Sequence, residues 1–181
     1  TIDTFRPKVS AILNITPDHL DRYANLEAYI QAKYRIFENQ KGHDIHVYNH
    51  DDENLRNAAE TVSVRTLGFS LKEELKQGAY LAGTHVMVRI GREKEMLIDR
   101  SEIGIPGPHN LMNAMAAALM ARAMGIEYEA IRHTLRTFRG VEHRIEFVRE
   151  LAGVRYYNDS KATNVDAVTY ALASFQEPIV L

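Results

Sequence analysis

The sequence predicts an α/β fold, a mostly parallel sheet flanked by helices with a small antiparallel extension. Val9 to Leu13 is a short, nearly continuous apolar run, which fits a strand buried on both faces of a parallel sheet. Further short runs alternate with helical patterns, as in sheets whose strands are joined by crossover helices. From Ala79 to Asp99 the hydrophobic period changes to two around a turn at Gly91 and Arg92, and this change predicts the antiparallel extension.

The other predicted elements before residue 140 keep this alternation. They are, in chain order, a helix over Leu26 to Gln40, a strand over Ile45 to Tyr48, a helix N-capped by Asp51 or Asp52 that runs through Ala59, an extended segment over Val62 to Phe69, a helix over about Leu111 to Met124 closed by Gly125, and a helix over Glu127 to Phe138. The helix that begins at Leu111 is rich in Ala and Met, which predicts burial on nearly all of its faces.

The character of the sequence changes at Gly140, and we place a domain boundary there, between residues 1–140 and 141–181. The segments that follow are strands over Ile145 to Leu151 and Val154 to Tyr157 and, after a polar loop, a helix over about Val165 to Ser174. We interpret this order as the start of a Rossmann-like α/β domain. Because Ile179 to Leu181 looks like a strand cut short, we expect the chain to be an internal piece of a longer protein.

The composition narrows the class of protein. With 181 residues, 45% of them hydrophobic, the chain can form one large domain or one domain with part of a second. A formal charge of -2 gives no electrostatic reason to bind nucleic acid or an anionic membrane, and no apolar run approaches the length of a membrane span. The absence of cysteine excludes disulfides and a thiolate nucleophile, which suits a cytoplasmic enzyme.

The loop from Asn14 to Tyr23 is rich in side chains that bind metals. It contains Asp18, His19 and Asp21, and it follows the carboxyl end of a predicted strand, where open α/β sheets bind ligands. Two carboxylates and one imidazole favour Mg²⁺ or Mn²⁺, held jointly with a phosphate, over a closed zinc site. The alternative is an ordinary surface loop whose side chains cap backbone groups and bind water.

Lys33 interrupts an apolar helical stripe. At the i, i+3, i+4 spacing of one helix face, it shares that stripe with Leu26, Tyr29, Ile30, Ile36 and Phe37. Its aliphatic stem could pack on this face while the ammonium group reaches water, which is the usual fate of such lysines. Alternatively, desolvation favours the neutral amine and makes it available for chemistry.

Asn110 and Asn113 lie at the start of the long Ala-rich helix, three residues apart, so their side chains can face the same way. The rigid segment Ile105-Pro-Gly-Pro delivers His109 and Asn110 to this helix. A carboxamide matches the donor and acceptor at N6 and N7 of adenine. The alternative is that Asn110 only N-caps the helix and Asn113 bonds locally.

The polar loop before the last predicted helix carries Asp159, Lys161 and Thr163. Free backbone N–H groups and the helix dipole favour an anion at such a position. A capped turn with a solvated lysine is the alternative. His143 and Arg144, next to the domain boundary, fit a hinge ion pair as well as they fit ligand contact.

Four motifs, in this order, resemble those of the Mur ligases of peptidoglycan synthesis. They are N-I-T-P-D-H-L-D-R-Y with A-K-Y-R-I-F-E, then P-G-P-H-N-L-M-N-A, then E-H-R-I-E-F-V, then Y-Y-N-D-S-K-A-T-N-V-D-A. The resemblance runs from the first residues to Ser174. The patterns D-H-x-D and H-N-x-x-N are also similar to those of folylpolyglutamate synthases, whereas N-D-S-K-A-T-N resembles the branch of Mur ligases that adds D-glutamate.

The resemblance implies a three-domain, monomeric ligase whose central sheet binds a mononucleotide. ATP would phosphorylate the carboxylate of UDP-N-acetylmuramoyl-L-alanine, and the amine of D-glutamate would attack the acyl phosphate to form an amide. The alternatives are a sibling Mur ligase, a folylpolyglutamate synthase-like ligase and a non-catalytic nucleotide-binding relative. No G-x-x-x-x-G-K-[ST] loop occurs in the 181 residues, and in the family it lies upstream, so we expect the isolated chain to be inactive.

The resemblance also implies residue roles, with ATP and Mg²⁺ as cofactors. His19 would be a Mg²⁺ ligand near the γ-phosphate, and Lys33 would be carbamylated by CO₂ and help to bind a second Mg²⁺. The nucleotide would be held by Asn110 and Asn113 at adenine, Asp159 at the ribose, and Arg144. D-glutamate or the acyl phosphate would be positioned by His143, Lys161 and Thr163. The residues taking part in catalysis would be Lys33, His19 and Lys161.

Overall fold

The computed structural model of the protein describes residues 3–16, 22–163 and 165–181. Its main elements are β1 (Val9–Ile12), α1 (Leu26–Tyr34), β2 (Ile45–Asn49), α2 (Glu53–Thr61), β3 (Arg65–Ser70), β4 (Gly78–Ala82), β5 (His85–Ile90), β6 (Glu93–Asp99), α3 (Pro108–Ala123), α4 (Tyr128–Thr137), β7 (Glu146–Leu151), β8 (Val154–Asn158) and α5 (Val165–Leu172). Within these ranges, none of the helices combines the length and apolar character needed to cross a bilayer.

The first six strands form one sheet in the order β1-β2-β3-β4-β5-β6. Strands β1 to β4 run parallel, with Val9 opposite Ile45 and Ile45 opposite Arg65. Strands β4, β5 and β6 are antiparallel neighbours, which confirms the predicted extension. Because β1, β2 and β3 are parallel, their carboxyl ends lie at one edge of the sheet, the edge at which α/β folds bind ligands.

Helix α3 packs on the sheet and joins it in one hydrophobic core. Val47 and Leu67 on the strands and Met115 on α3 belong to this core and are completely buried. The helix is buried or half-buried over most of its surface, as predicted, except at Pro108 at its start and at Asn113 and Ala117, which are exposed. The sheet and α4 contact α3, and this leaves a stripe of the helix open to ligands or solvent.

Helix α1 is shorter than predicted. It ends at Tyr34, and a 3-10 turn over Arg35–Phe37 follows before the chain reaches Gln40. The buried Gln40 donates hydrogen bonds from Nε2 to the carbonyl oxygens of Pro7 and Ile45, both at 3.0 Å. These bonds hold Gln40 next to the start of β2, and the helix therefore ends before residue 40.

Beyond Gly140 the two expected strands are present as β7 and β8, which pair antiparallel and bond only to each other among the described strands. Helix α5 follows them, also as expected. The predicted strand over Ile179 to Leu181 is wrong, since this segment is irregular and Val180 is 98% exposed. A strand is held by hydrogen bonds to a neighbour, and no described strand pairs with this segment.

His46 on β2 is buried in a small polar cluster. Its Nδ1 lies 2.8 Å from Ser10 Oγ, and that hydroxyl donates to Gln40 Oε1 at 2.9 Å. The imidazole also packs edge-on against Phe37, with 4.6 Å between ring centres. Burial lowers the pKa of His46 to about 4, so the ring is neutral near pH 7.

This burial predicts a pH-dependent stability. Unfolded His46 takes up a proton near pH 6.5 and the folded residue does so only near pH 4, so the free energy of unfolding should fall by about 3 kcal/mol as the pH drops between these values. Urea unfolding from pH 4 to 7 measures this slope. His46→Asn, which cannot titrate, should flatten it, whereas His133→Asn at an exposed site on α4 should not. An unchanged slope in His46→Asn would contradict the assignment.

Candidate functional site

A cleft of about 910 Å³ opens at the carboxyl edge of the sheet. Its walls come from the ends of β1, β2 and β3, from the amino end of α3, and from the segment beyond α4. The predicted site residues that line it are Lys33, Asn110, Asn113, Arg144, Asp159 and Lys161. Side chains from both sides of the predicted domain boundary therefore meet in one cavity.

Lys33 lies in the last turn of α1 and is half-buried. Its Nζ is 4.9 Å from the centre of the Tyr29 ring, within range of a cation–π contact. The apolar stripe is buried at Tyr29 and Ile30, whereas Leu26 is 38% exposed. Lys33 also lines an adjoining cavity of about 340 Å³, together with Asn14. The lysine thus lies in a cavity wall, at the edge of the apolar stripe.

Asn110 and Asn113 lie side by side on the cleft wall. Helix α3 begins at Pro108 with Gly107 as its N-cap, so the alternative in which Asn110 is the N-cap is wrong. Asn110 instead donates from Nδ2 to the carbonyl of Pro106 at 2.7 Å, and Asn113 donates from Nδ2 to Asn110 Oδ1 at 3.4 Å. These bonds orient two carboxamides in the cleft wall.

Gly107 allows α3 and α5 to approach closely. Its φ of 97° is a conformation that L side chains rarely adopt, and a Cβ there would overlap Ser174 Oγ and lie 2.9 Å from His109 Cε1. A larger residue would therefore strain the turn and would require the side chains of Ser174 and His109 to move. The start of α3 and the segment 141–181 are packed together at this glycine.

His109 lies next to Gly107 on the cleft wall, 6.0 Å from the ring of Tyr170 on α5. Its Nδ1 is buried and has no hydrogen-bond partner among the described residues. Burial lowers the pKa of His109, Arg144 lowers it further, and Asp159 opposes both. The sequence groups His109 with Asn110 and Asn113 as candidates for binding adenine, and the structure places all three in the cleft wall.

Hydrogen bonds connect the loop between β8 and α5 to residues 143–145, next to the predicted domain boundary. Asp159 accepts from the backbone N–H of Ile145 at 3.2 Å, and the N–H of Lys161 donates to the carbonyl of His143 at 3.1 Å. His143 and Ile145 have φ of 68° and 44°, and such values are uncommon without glycine and concentrate at functional sites. Arg144 is held between them, facing the cleft.

Two of the residues predicted to contact substrate do not line the cleft. His143 Nδ1 lies 2.9 Å from Asn158 Nδ2 and 3.6 Å from Glu146 Oε2, so a protonated His143 would form an ion pair with Glu146. Thr163 lies two residues beyond Lys161 and donates its backbone N–H to the carbonyl of that lysine at 3.0 Å. Both roles stay predictions.

The predicted metal site lies largely outside the described residues. Asp18, His19 and Asp21 belong to residues 17–21, which the structure does not describe. Within the described ranges, no group of three or more His, Asp or Glu side chains could hold a metal ion. The magnesium assignment of His19 therefore stays a prediction.

Asn49, which ends β2, is a cleft residue that sequence reasoning missed. It is buried, being 7% exposed, and its neighbours in the wall include Phe69 from the end of β3. The signal was present, because a polar residue at the carboxyl end of a parallel strand occupies the ligand-binding edge.

Comparison with known proteins identifies relatives of the whole chain. Residues 1–121 match the Mur ligase middle domain. The chain is similar to the UDP-N-acetylmuramoylalanine--D-glutamate ligase of Pelotomaculum thermopropionicum, with 48% identity over 181 residues, 100% of this chain and 40% of that protein. The ligase of the same name from Salinibacter ruber is 47% identical over 185 residues, covering 99% of this chain and 40% of that protein. The chain thus spans about two fifths of the length of these curated relatives.

Solved structures with lower sequence identity share the fold. MurF from Acinetobacter baumannii aligns with a TM-score of 0.73 at 20% identity, over 91% of this chain and 36% of that chain. MurF from Thermotoga maritima, solved in complex with ADP, aligns with a TM-score of 0.68 at 22% identity, over 94% of this chain and 40% of that chain. Since the match to the middle domain covers residues 1–121 of the 181, the chain belongs to the Mur ligase family.

Proposed function

We propose that the full-length protein joins D-glutamate to UDP-N-acetylmuramoyl-L-alanine in an ATP-driven reaction of peptidoglycan synthesis. The observation that carries the proposal is the single cleft in which Lys33, Arg144 and Lys161 meet two carboxamides and Asp159. Such a set suits a nucleotide and an acyl phosphate, whose negative charges need cations. The relatives named for D-glutamate addition, 44% to 48% identical, support this choice of substrate.

The wall formed by α3 would bind the base of ATP. The carboxamides of Asn110 and Asn113 are held beside each other there, and a carboxamide can pair with N6 and N7 of adenine. Asp159 on the facing loop would accept a ribose hydroxyl. Arg144 would pair with the nucleotide as a planar, permanently charged donor.

The loop from Asp159 to Thr163 would position the reacting groups. Lys161 lines the cleft, and its ammonium would offset the charge that grows on the acyl phosphate as the amine attacks. Its backbone is bonded to His143 and Thr163, so all three residues form one unit that can hold the carboxylates of D-glutamate. Catalysis here is positioning and charge stabilisation, without a covalent enzyme intermediate.

Mg²⁺ would be bound by His19 and by Lys33 as a carbamate. Bound Mg²⁺ would neutralise charge on the phosphate oxygens. A neutral Lys33 amine can add CO₂ and release a proton, which places two oxygen ligands at the cavity wall. As an ammonium, Lys33 gains from the Tyr29 ring 4.9 Å away. An anionic carbamate loses that attraction and therefore depends on a cation beside it.

Three rival assignments differ from this one in their predicted chemistry. A sibling Mur ligase or a folylpolyglutamate synthase-like ligase would use another amino acid, and a non-catalytic relative would bind nucleotide only. The N-D-S-K-A-T-N segment and the names of the relatives favour D-glutamate. The loop that binds the phosphates of ATP would come from a part of the protein outside these 181 residues. We also propose that the full-length protein is a monomer in the cytoplasm.

Phosphate release from ATP by the purified full-length protein tests the proposal. With UDP-N-acetylmuramoyl-L-alanine present, we expect release only when D-glutamate is added, and no release with L-glutamate, L-lysine or D-alanyl-D-alanine. The 181-residue chain alone should be inactive. Release driven by another amino acid would identify a sibling ligase, and nucleotide binding without release would identify a non-catalytic relative.

A further inference from the structure

Asn49 has a buried carboxamide in the cleft, and the proposed function gives it no role. It ends β2, is 7% exposed, and lines the cavity at the sheet edge. A carboxamide presents one acceptor oxygen and two N–H donors. Because buried polar groups in folded proteins almost always have hydrogen-bond partners, the partners of Asn49 indicate what this residue is for.

The side-chain oxygen of Asn49 accepts a good hydrogen bond within the protein, whereas its side-chain nitrogen has only a weak acceptor. Oδ1 accepts the backbone N–H of Asp51 at 2.9 Å. The only hydrogen-bond partner of Nδ2 within the described ranges is Met112 Sδ, at 3.8 Å. A thioether is a weak acceptor, so Nδ2 keeps the capacity to donate to a stronger one in the cleft.

The neighbouring residues already hold this turn in place. Asp51 accepts from Ser70 Oγ at 2.6 Å and from the N–H of Leu71 at 2.9 Å, which ties the ends of β2 and β3 together. Asp52 N-caps α2 and accepts from the N–H of Ile15 at 2.8 Å, which ties in the loop after β1. The Nδ2 group of Asn49 is not needed for these ties.

We propose that Asn49 binds the nucleotide, donating a hydrogen bond from Nδ2 to an acceptor atom of the adenosine moiety. Met112, which Nδ2 contacts, lies on α3 between Asn110 and Asn113, the residues assigned to adenine. Lys161, which is assigned to the reacting groups and D-glutamate, comes from the loop between β8 and α5 and not from α3, so D-glutamate is the less suitable partner. This inference rests on the proposed function, because it takes the bound ligand to be ATP.

Asn49→Asp tests the donor directly. The carboxylate keeps an oxygen for the N–H of Asp51 but replaces the donor with a second acceptor. Adenosine, measured in the full-length protein by competition with fluorescent ADP, should bind at least about tenfold more weakly, the loss expected for one hydrogen bond. Adenosine has no phosphates, so repulsion between the new charge and phosphates cannot explain that loss. Asn57→Asp, the same change at an exposed position on α2, should bind adenosine as the wild type does.

A second variant and a stability measurement separate binding from folding. Asn49→Ala should also weaken adenosine about tenfold, and thermal unfolding shows which variants are folded. The KM for D-glutamate should stay within about twofold, whereas a merely structural defect would raise it too. Adenosine affinity within twofold of wild type in either folded variant overturns the inference and leaves the proposed function standing. If the wild type binds neither ADP nor adenosine, both fail.

Discussion

Replacing Lys33 with Met in the full-length protein should lower kcat/KM for amide formation by about a thousandfold, the upper range for loss of one charge-stabilising group. Met keeps an unbranched stem of similar shape against Tyr29 and removes the amine that would become the carbamate. Wild-type activity should also depend on dissolved CO₂, and the variant should not respond to it. Initial rates with and without added bicarbonate measure both effects.

Lys41→Met is the matched control for this change. Lys41 is exposed beyond the end of α1, so the same substitution there should leave kcat/KM unchanged within about twofold. Lys33→Met that keeps more than a tenth of wild-type activity would contradict the assigned role. So would full activity in thoroughly degassed, CO₂-free buffer, because the carbamate would then be unnecessary.

Replacing Lys161 with Met should lower kcat by about a hundredfold and change the KM for ATP much less. The ammonium is assigned to charge that develops on the acyl phosphate during attack, and a group that acts mainly in the transition state affects kcat most. Its backbone bond to His143 is a main-chain contact, so the loop should keep its conformation in the variant. Steady-state kinetics with ATP and D-glutamate varied separately give the two constants.

Lys72→Met, at an exposed position after β3, is the control for Lys161 and should behave as wild type. A variant of Lys161 with normal kcat and a raised KM for ATP would move this lysine from the reacting groups to the nucleotide. Normal values of both kcat and KM would show that Lys161 takes no part in the reaction, and would favour the alternative of a capped turn with a solvated lysine.

The sheet was predictable because its signals are local. The period-two pattern from Ala79 to Asp99 specifies the antiparallel strands, and Asp52, one of the two candidates, is the N-cap of α2. The end of α1 was not predictable, since the turn at residues 35–37 accompanies the burial of Gln40 between Pro7 and Ile45. The contact with Pro7 joins residues 33 positions apart, and a contact so distant in sequence leaves no local pattern.

The sequence predicts which residues line the cleft when they lie at strand ends or helix starts, and much less well elsewhere. Asn110 and Asn113 reach the cleft, although Gly107 and Pro108 start the helix in place of an asparagine cap. Asn49 was missed although its position at the end of β2 was a signal, whereas its contact with Met112, 63 positions away, leaves no local pattern. Propensity and spacing describe one element at a time, whereas the cleft is formed by five or more of them.

The most direct test of the account is a crystal structure of the full-length protein with ADP and Mg²⁺. We predict the adenine in the cleft, within about 3 Å of the carboxamide of Asn113, with the ribose beside Asp159 and extra density for a carbamate on Lys33. ADP bound elsewhere, with the cleft between α3 and the loop from Asp159 to Thr163 filled only by water, would contradict the central claim.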